Sequence, residues 1–63
     1  MTLHEWESLN GAEATAWHAR LRRTQSQHER GQITYGIHLA LCGQFNDWLG
    51  EKDFLGAWEA SKP

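Results

Sequence analysis

His38 and Cys42 are the residues whose types and spacing could do chemistry. They stand four positions apart, so a helix would place the imidazole and the thiol on one face. With His4, His18 or His28 they could ligate a metal ion, or they could form a nucleophile and its base. The spacings match no established zinc pattern, and a short domain has little material for a cleft and an orienting third group. We therefore expect no metal, no cofactor and no enzymatic activity.

A second candidate is the basic segment 19–30, ARLRRTQSQHER, which contains all four arginines of the chain. Its side chains are of the kinds that contact phosphates in nucleic-acid complexes. The net charge of the chain is −2, however, and acidic residues flank the segment on both sides. Binding to nucleic acid would therefore be weak, and pairing of the arginines with carboxylates within the fold is the stronger expectation.

The four tryptophans are candidates for the core and for a binding surface. Trp6, Trp17 and Trp48 fall on apolar stripes and are expected in the core. Trp58 lies near the end of a weak terminal helix, and tryptophan is enriched in binding hot spots. Packing of Trp58 over the central helix is an open alternative. The residues predicted to bind a partner are Trp58, Phe54, Arg20, Arg22, Arg23 and Arg30.

Length and composition limit the architecture. The 63 residues make one domain (1–63, frayed at 60–63), and the single cysteine excludes an internal disulfide. A chain of this size buries only about 60% of its unfolded surface. Helix packing or oligomerisation must then supply stability. We therefore expect a homodimer or an apolar face that binds a partner.

The expected location is the cytoplasm. The N-terminus lacks a basic region followed by an apolar core, and no run approaches the ~18 apolar residues of a membrane span. One unpaired cysteine fits a reducing compartment. We expect no membrane association.

The elements that must position these residues are organised around the stretch 33–49, ITYGIHLALCGQFNDWL. As a helix from Thr34 to Leu49, with Gly50 ending it, the stretch is apolar nearly all round and must be buried on several sides. As a strand, residues 32–42 alternate strictly, but no second strand is evident, so pairing would require a dimer. We favour the helix.

The rest of the chain also has helical signals. Thr2 and Glu5 form a capping box for a first short helix over 2–9, which Asn10-Gly11 should end. A second helix begins at residue 12, is expected at least to residue 24, and has Gly31 as its terminal glycine. Asp53 can cap a last helix, FLGAWEA. The predicted fold is all-α, a bundle of three to four helices around the buried central helix, with an α+β dimer as the alternative.

Two short stretches resemble known families. Residues Arg20 to Gln25, RLRRTQ, resemble the R-L-R-R-x-Q run of the Hha family, with a looser likeness in HLALCGQFNDWL. That resemblance implies an all-helical modulator of nucleoid proteins. The opening TLHEWESL resembles the start of excisionase-type DNA-binding domains. Each match spans fewer than ten residues, and no family is assigned.

The predicted function is binding to a protein partner without catalysis, as a regulator, inhibitor or adaptor. Such a role needs only an apolar patch with a polar rim. Small chains of this kind are frequent among phage and mobile-element accessory proteins, so we expect the protein to be encoded by a phage or mobile element. The alternative is a nucleic-acid-associated transcriptional or nucleoid modulator that uses the segment from Arg20 to Arg30.

Overall fold

The computed structural model describes every residue from Met1 to Pro63. It contains three helices and no strand: α1 (Leu3–Glu29), α2 (Tyr35–Glu51) and α3 (Phe54–Ala60). The prediction of a small all-helical bundle is confirmed. The strand alternative for residues 32–42 is wrong, because the chain is helical from Tyr35 onward and residues 32–33 belong to the preceding turn.

The N-terminus of α1 has the predicted capping box. The Thr2 hydroxyl accepts from the backbone N–H of Glu5 at 3.3 Å, and the N–H of Thr2 donates to the Glu5 carboxylate at 3.3 Å. The Thr2 hydroxyl also donates to the Glu5 carboxylate at 3.1 Å, and the two bonds that this carboxylate accepts, from the backbone and from the hydroxyl of Thr2, lower the pKa of Glu5. The N–H of Leu3 donates to the Ser61 hydroxyl at 2.6 Å, so the two ends of the chain meet.

The predicted break at Asn10-Gly11 is wrong, because α1 runs through both residues. The cause is a packing stripe that continues past them, and burial of this stripe outweighs the ~1 kcal/mol cost of a helical glycine. Asn10 also donates from its side chain to the Trp6 carbonyl at 3.2 Å. Stripe residues recur at helical spacing and are all at least partly buried: Leu3, Trp6, Asn10, Ala14, Trp17, Leu21, Thr24 and His28.

The end of α1 is confirmed at Gly31. This residue adopts φ +74°, a left-handed conformation that glycine reaches without steric cost. Its N–H donates to the His28 carbonyl at 2.9 Å, and the Gln32 N–H donates to the Gln27 carbonyl at 2.8 Å. This pair of bonds is the Schellman motif, which turns the chain back toward α1.

The start of α2 is as predicted, and its end is later than predicted. Thr34 is the N-cap, although its side chain makes no capping hydrogen bond. The helix continues through Gly50 to Glu51, so Gly50 does not end it. The left-handed residue is instead Asp53, at φ 53°, which joins α2 to α3. Aspartate tolerates this conformation better than most residues, and its carboxylate lies where a side chain at Gly56 would be.

Helices α1 and α2 form an antiparallel hairpin, and α3 closes one end of it. The closed end holds the core, in which Trp6 (3% exposed), Trp48 (9%) and Ala57 (2%) are buried. Ring contacts link Trp6 edge-to-face with Trp48 at 5.8 Å and with Phe54 at 5.0 Å. Trp17 is only partly buried, 5.7 Å from Phe45 and 6.3 Å from Trp48.

Burial of α2 is one-sided. Trp48 is its only buried residue, while Tyr35, Ile37 and Leu39 expose 56%, 54% and 49% of their surface. The expectation that α2 is buried on several sides is therefore not met within one chain. The molecule measures 42 × 20 × 17 Å, and its radius of gyration of 13.8 Å exceeds the roughly 11 Å of a compact domain of this length. Two helix layers are too few to enclose α2.

Two glycines of α1 and its terminal turn should respond to alanine in opposite ways. Gly31→Ala should destabilise the protein by about 1 kcal/mol, because alanine is strained at positive φ. Gly11→Ala should stabilise it by about 0.5–1 kcal/mol, because Gly11 is helical and nothing lies within 4 Å of an added Cβ. Urea unfolding followed by circular dichroism at one chain concentration measures both. A shift of the same sign in both variants would contradict the two assignments.

Trp6 should contribute more to stability than the exposed Trp58. Trp6→Phe removes the indole N–H that donates to the Lys52 carbonyl at 2.9 Å and leaves a small void. The expected loss is about 1–3 kcal/mol in the free energy of unfolding. The matched control Trp58→Phe, at a side chain that is 45% exposed, should change it by less than about 0.5 kcal/mol. Thermal unfolding measures both variants, and equal losses of stability would contradict this prediction.

Candidate functional site

An apolar groove runs along one side of the hairpin. Its main part has a volume of about 660 Å³. All three helices contribute apolar side chains to its walls, while its open edge carries Glu7, Thr15 and His18. The apolar wall residues are Trp6, Ala14, Phe45, Leu49 and Phe54.

Gly11 lines the groove from α1, beside the packed stripe of that helix. Gly11 contributes no side chain, and nothing lies within 4 Å of the position of a Cβ. The next residues along that side are Thr15 and His18, four and three positions further on, so they continue one edge of the groove. The ring of His18 packs edge-to-face on Phe45 at 5.4 Å, which closes the wall at that point.

Two shallower depressions extend the groove in both directions. One, of about 450 Å³, shares Thr15 and His18 with it and continues to Leu21, Arg22 and Gln25. The other, of about 380 Å³, shares Leu49 and Phe54 with it. This second extension also includes Asn46, Gly50, Asp53 and Leu55. The concave surface is therefore elongated along the hairpin, a shape that suits a segment of polypeptide.

The charges around the groove are unevenly distributed. Glu7 and Asp53 border the end nearest α3, where no Lys or Arg lines the surface. Arg22 borders the opposite end. A ligand with positive charge near the α3 end would therefore be favoured electrostatically.

The predicted partner-binding residues are placed in different regions. Phe54 lies in the groove, packed on Trp6. Trp58 is 45% exposed and does not line the groove. The Lys62 ammonium lies over its ring, 3.9 Å from the centroid. The structure thus brings one of the two predicted aromatic residues into the concave surface.

The four arginines do not form a single cluster. Arg20 stacks over Trp17 at 4.9 Å from the ring centroid, and Arg22 borders the groove. Arg23 and Arg30 are exposed, and their spacing of seven places them on the same face of α1. No ion pair within 4.0 Å joins any arginine to a carboxylate, so the expected pairing within the fold does not form.

His38 and Cys42 do share one face of α2, and a third group that sequence reasoning missed lies beside them. The His38 Nδ1 is 2.7 Å from the Thr24 hydroxyl of α1, and its Nε2 is 3.6 Å from the Cys42 sulfur. Thr24 donates its only proton to the Leu21 carbonyl at 3.0 Å, so it accepts from Nδ1–H. The Nε2 lone pair is then left to accept from the thiol.

This polar chain joins the two helices of the hairpin. It contains one thiol and one imidazole, and no group of three or more His, Cys, Asp or Glu side chains is placed to hold a metal ion. No cavity described above includes His38 or Cys42. These contacts connect α1 with α2 at Thr24 and His38.

The Thr24 hydroxyl should stabilise the hairpin. Thr24→Val keeps the shape of the side chain and leaves His38 Nδ1–H without its acceptor, which should cost about 1 kcal/mol. Thr15→Val makes the same substitution at an exposed position of the same helix and should cost less than about 0.5 kcal/mol. Chemical unfolding of both variants tests this, and equal stabilities would show that the contact contributes nothing.

Comparison of the chain with protein-family models, with curated proteins and with solved structures gives no match. The likenesses to Hha and to excisionase-type domains stay local resemblances. No helix is both long enough and apolar enough to cross a membrane.

The sequence did not identify four of the residues that line the groove, Gly11, Ala14, Phe45 and Leu49. One signal was present. The stripe of α1 continues through Asn10 at a spacing of seven from Leu3 to Trp17, which indicates a continuous helix with Gly11 beside its packed face.

Proposed function

We propose that this protein is a small, non-catalytic, cytoplasmic protein-binding module that acts as a regulator, inhibitor or adaptor of a larger protein. We further propose that it belongs to the accessory proteins of phages or mobile elements. The observation that carries the proposal is the apolar groove of about 660 Å³, which a chain with so small a core leaves open. Exposed apolar surface of this kind marks interaction sites.

The proposed ligand is an amphipathic segment of the partner that is basic along one edge. The groove and its extensions follow the hairpin axis, so a helix with large apolar side chains at i, i+4 and i+7 could place them in successive depressions. Lysine or arginine beside these side chains would meet Glu7 and Asp53. Electrostatic complementarity of this kind selects the partner and its orientation.

The test fills the groove without disturbing the fold. Gly11→Leu should place an apolar side chain in the groove, since nothing lies within 4 Å of the glycine. Ala12→Leu is the matched control, because Ala12 is the exposed next residue, on another side of α1. The wild type and both variants are used to capture the partner from a nuclease-treated lysate of the organism that makes the protein. The partner should bind the wild type and the Ala12→Leu variant. Gly11→Leu should lose at least ~10-fold in affinity.

A synthetic peptide tests the ligand class. It carries leucine at i, i+4 and i+7 flanked by lysine, and a control peptide carries glutamate in place of lysine. In a titration followed by amide chemical shifts, the lysine peptide should shift residues that line the groove and the glutamate peptide should bind more weakly. Partner binding that survives Gly11→Leu, or equal binding of both peptides, would contradict the proposal.

The second candidate function is nucleic-acid association through the basic segment. Exposure of Arg22, Arg23 and Arg30 without ion pairs favours it. For this function, the affinity should fall with about the first power of the salt concentration for each phosphate contact. Partners captured from a lysate should also be lost after nuclease treatment. Replacement of these three arginines by glutamine should then abolish binding, whereas Gly11→Leu should not. Weak salt dependence and capture that resists nuclease would exclude this function.

A further inference from the structure

The charges of the protein are separated along its long axis. Trp17, near the middle of α1, contacts Phe45 of α2 at 5.7 Å between ring centroids. The part that includes α3, residues 1–17 and 45–63, has seven of the eight carboxylate side chains and both lysines, a net charge of −5. Residues 18–44, which form the end near Gly31, have all four arginines and one glutamate, a net charge of +3. The groove and its extensions therefore run from an acidic end to a basic end.

The side chains that line the groove repeat this separation. Glu7 and Asp53 line it at the α3 end, Arg22 lines the opposite end, and all three are exposed. Glu29 lies on the same side of α1 as Arg22, but roughly 10 Å further along the helix, and its carboxylate accepts from Gln25 at 3.4 Å. That separation exceeds the Debye length of about 8 Å at physiological salt. A ligand that ends beside Arg22 therefore meets a positive charge there.

The walls of the groove favour a helical ligand over an extended one. All three elements are helices and the fold has no strand. An extended segment would find no strand edge for its backbone N–H and carbonyl groups, whereas a helix satisfies these groups internally. From Glu7 to Arg22 the groove follows α1 for about 22 Å, a length that a helix of about 15 residues spans.

The dipole of a bound helix then decides its direction. Because α1 and α2 are antiparallel, their own dipoles largely cancel at each end of the groove, and the fixed charges remain. A helix carries about half an elementary positive charge at its N-terminus and the same negative charge at its C-terminus. With its N-terminus at the α3 end, the ligand places its positive end beside Glu7 and Asp53 and its negative end beside Arg22. The opposite direction brings like charges together at both ends.

We infer that the partner segment bound in the groove is a helix that runs parallel to α1, with its N-terminus and its basic residues at the α3 end. The inference rests on the proposed function, because it gives the direction and the charge order of the ligand proposed there. Basic side chains in the first turns of the free segment oppose its own dipole. Their contact with Glu7 and Asp53 offsets that cost in the complex.

Paramagnetic labelling tests the direction. The lysine peptide described above, made about 15 residues long, carries a nitroxide at its N-terminus in one version and at its C-terminus in the other. Broadening of amide signals in the isotope-labelled full chain shows which end of the groove each nitroxide approaches. The N-terminal nitroxide should broaden Glu7 and Leu55 most, and the C-terminal nitroxide should broaden Arg22 and Gln25 most. One direction should be preferred by at least ~5-fold.

A double variant tests whether the charges cause the preference. Glu7→Arg combined with Arg22→Glu exchanges two exposed side chains of the groove without changing the net charge, and it should reverse the broadening pattern. Glu59→Arg combined with Arg23→Glu makes the same exchange at exposed positions outside the groove and should leave the pattern as in the wild type. Helix content by circular dichroism should be the same in both double variants.

The outcomes separate this inference from the groove proposal. Reversed or equal broadening patterns in the wild type would overturn the inference, and so would a groove double variant that keeps the wild-type pattern. If the peptide binds in the reverse direction and Gly11→Leu abolishes that binding, the groove proposal holds and only the direction is wrong. If titration with the peptide shifts no amide signal of the groove, the groove proposal fails and the inference fails with it.

Discussion

The fold depends on the placement of one indole. Trp6 lies under α3 with 3% of its surface exposed, edge-to-face with Trp48 and Phe54, and its N–H donates to the Lys52 carbonyl at 2.9 Å. That carbonyl belongs to the short junction between α2 and α3, so a single side chain of α1 positions both other helices. A helix of seven residues is too short to be stable alone, and α3 exists because this contact and Ala57 hold it against the hairpin.

The parts of the fold that were predictable from sequence are those with local causes. The capping box of Thr2 and Glu5 and the left-handed Gly31 depend on neighbours within five positions, and both are as predicted. Glycines at 11 and 50 were read as helix ends, yet both are helical, because tertiary packing of Trp6, Trp17 and Trp48 outweighs a weak local preference.

The candidate site was less predictable for a geometric reason. Sequence spacing shows which residues share a face of one helix, but the groove is formed where the sides of two helices meet. Phe54 was among the residues predicted to bind a partner, whereas Gly11 matters for the side chain it lacks. The contact of Thr24 with His38 depends on the register between α1 and α2, which the spacing within one helix does not give.

The two ends of the hairpin are held together by different chemistry, and this has a consequence for local motion. Near α3, the contacts between α1 and α2 are aromatic and buried. Near Gly31, the contacts are polar and part-buried, and they join Thr24 to His38 and His28 to the Ile33 carbonyl. Few buried apolar contacts and solvent-accessible hydrogen bonds characterise segments that open locally. Amide protons around residues 24–40 should thus exchange through sub-global opening, while those near Trp6 and Trp48 exchange only when the whole chain unfolds. The end of the hairpin near Gly31 is therefore the part expected to open locally.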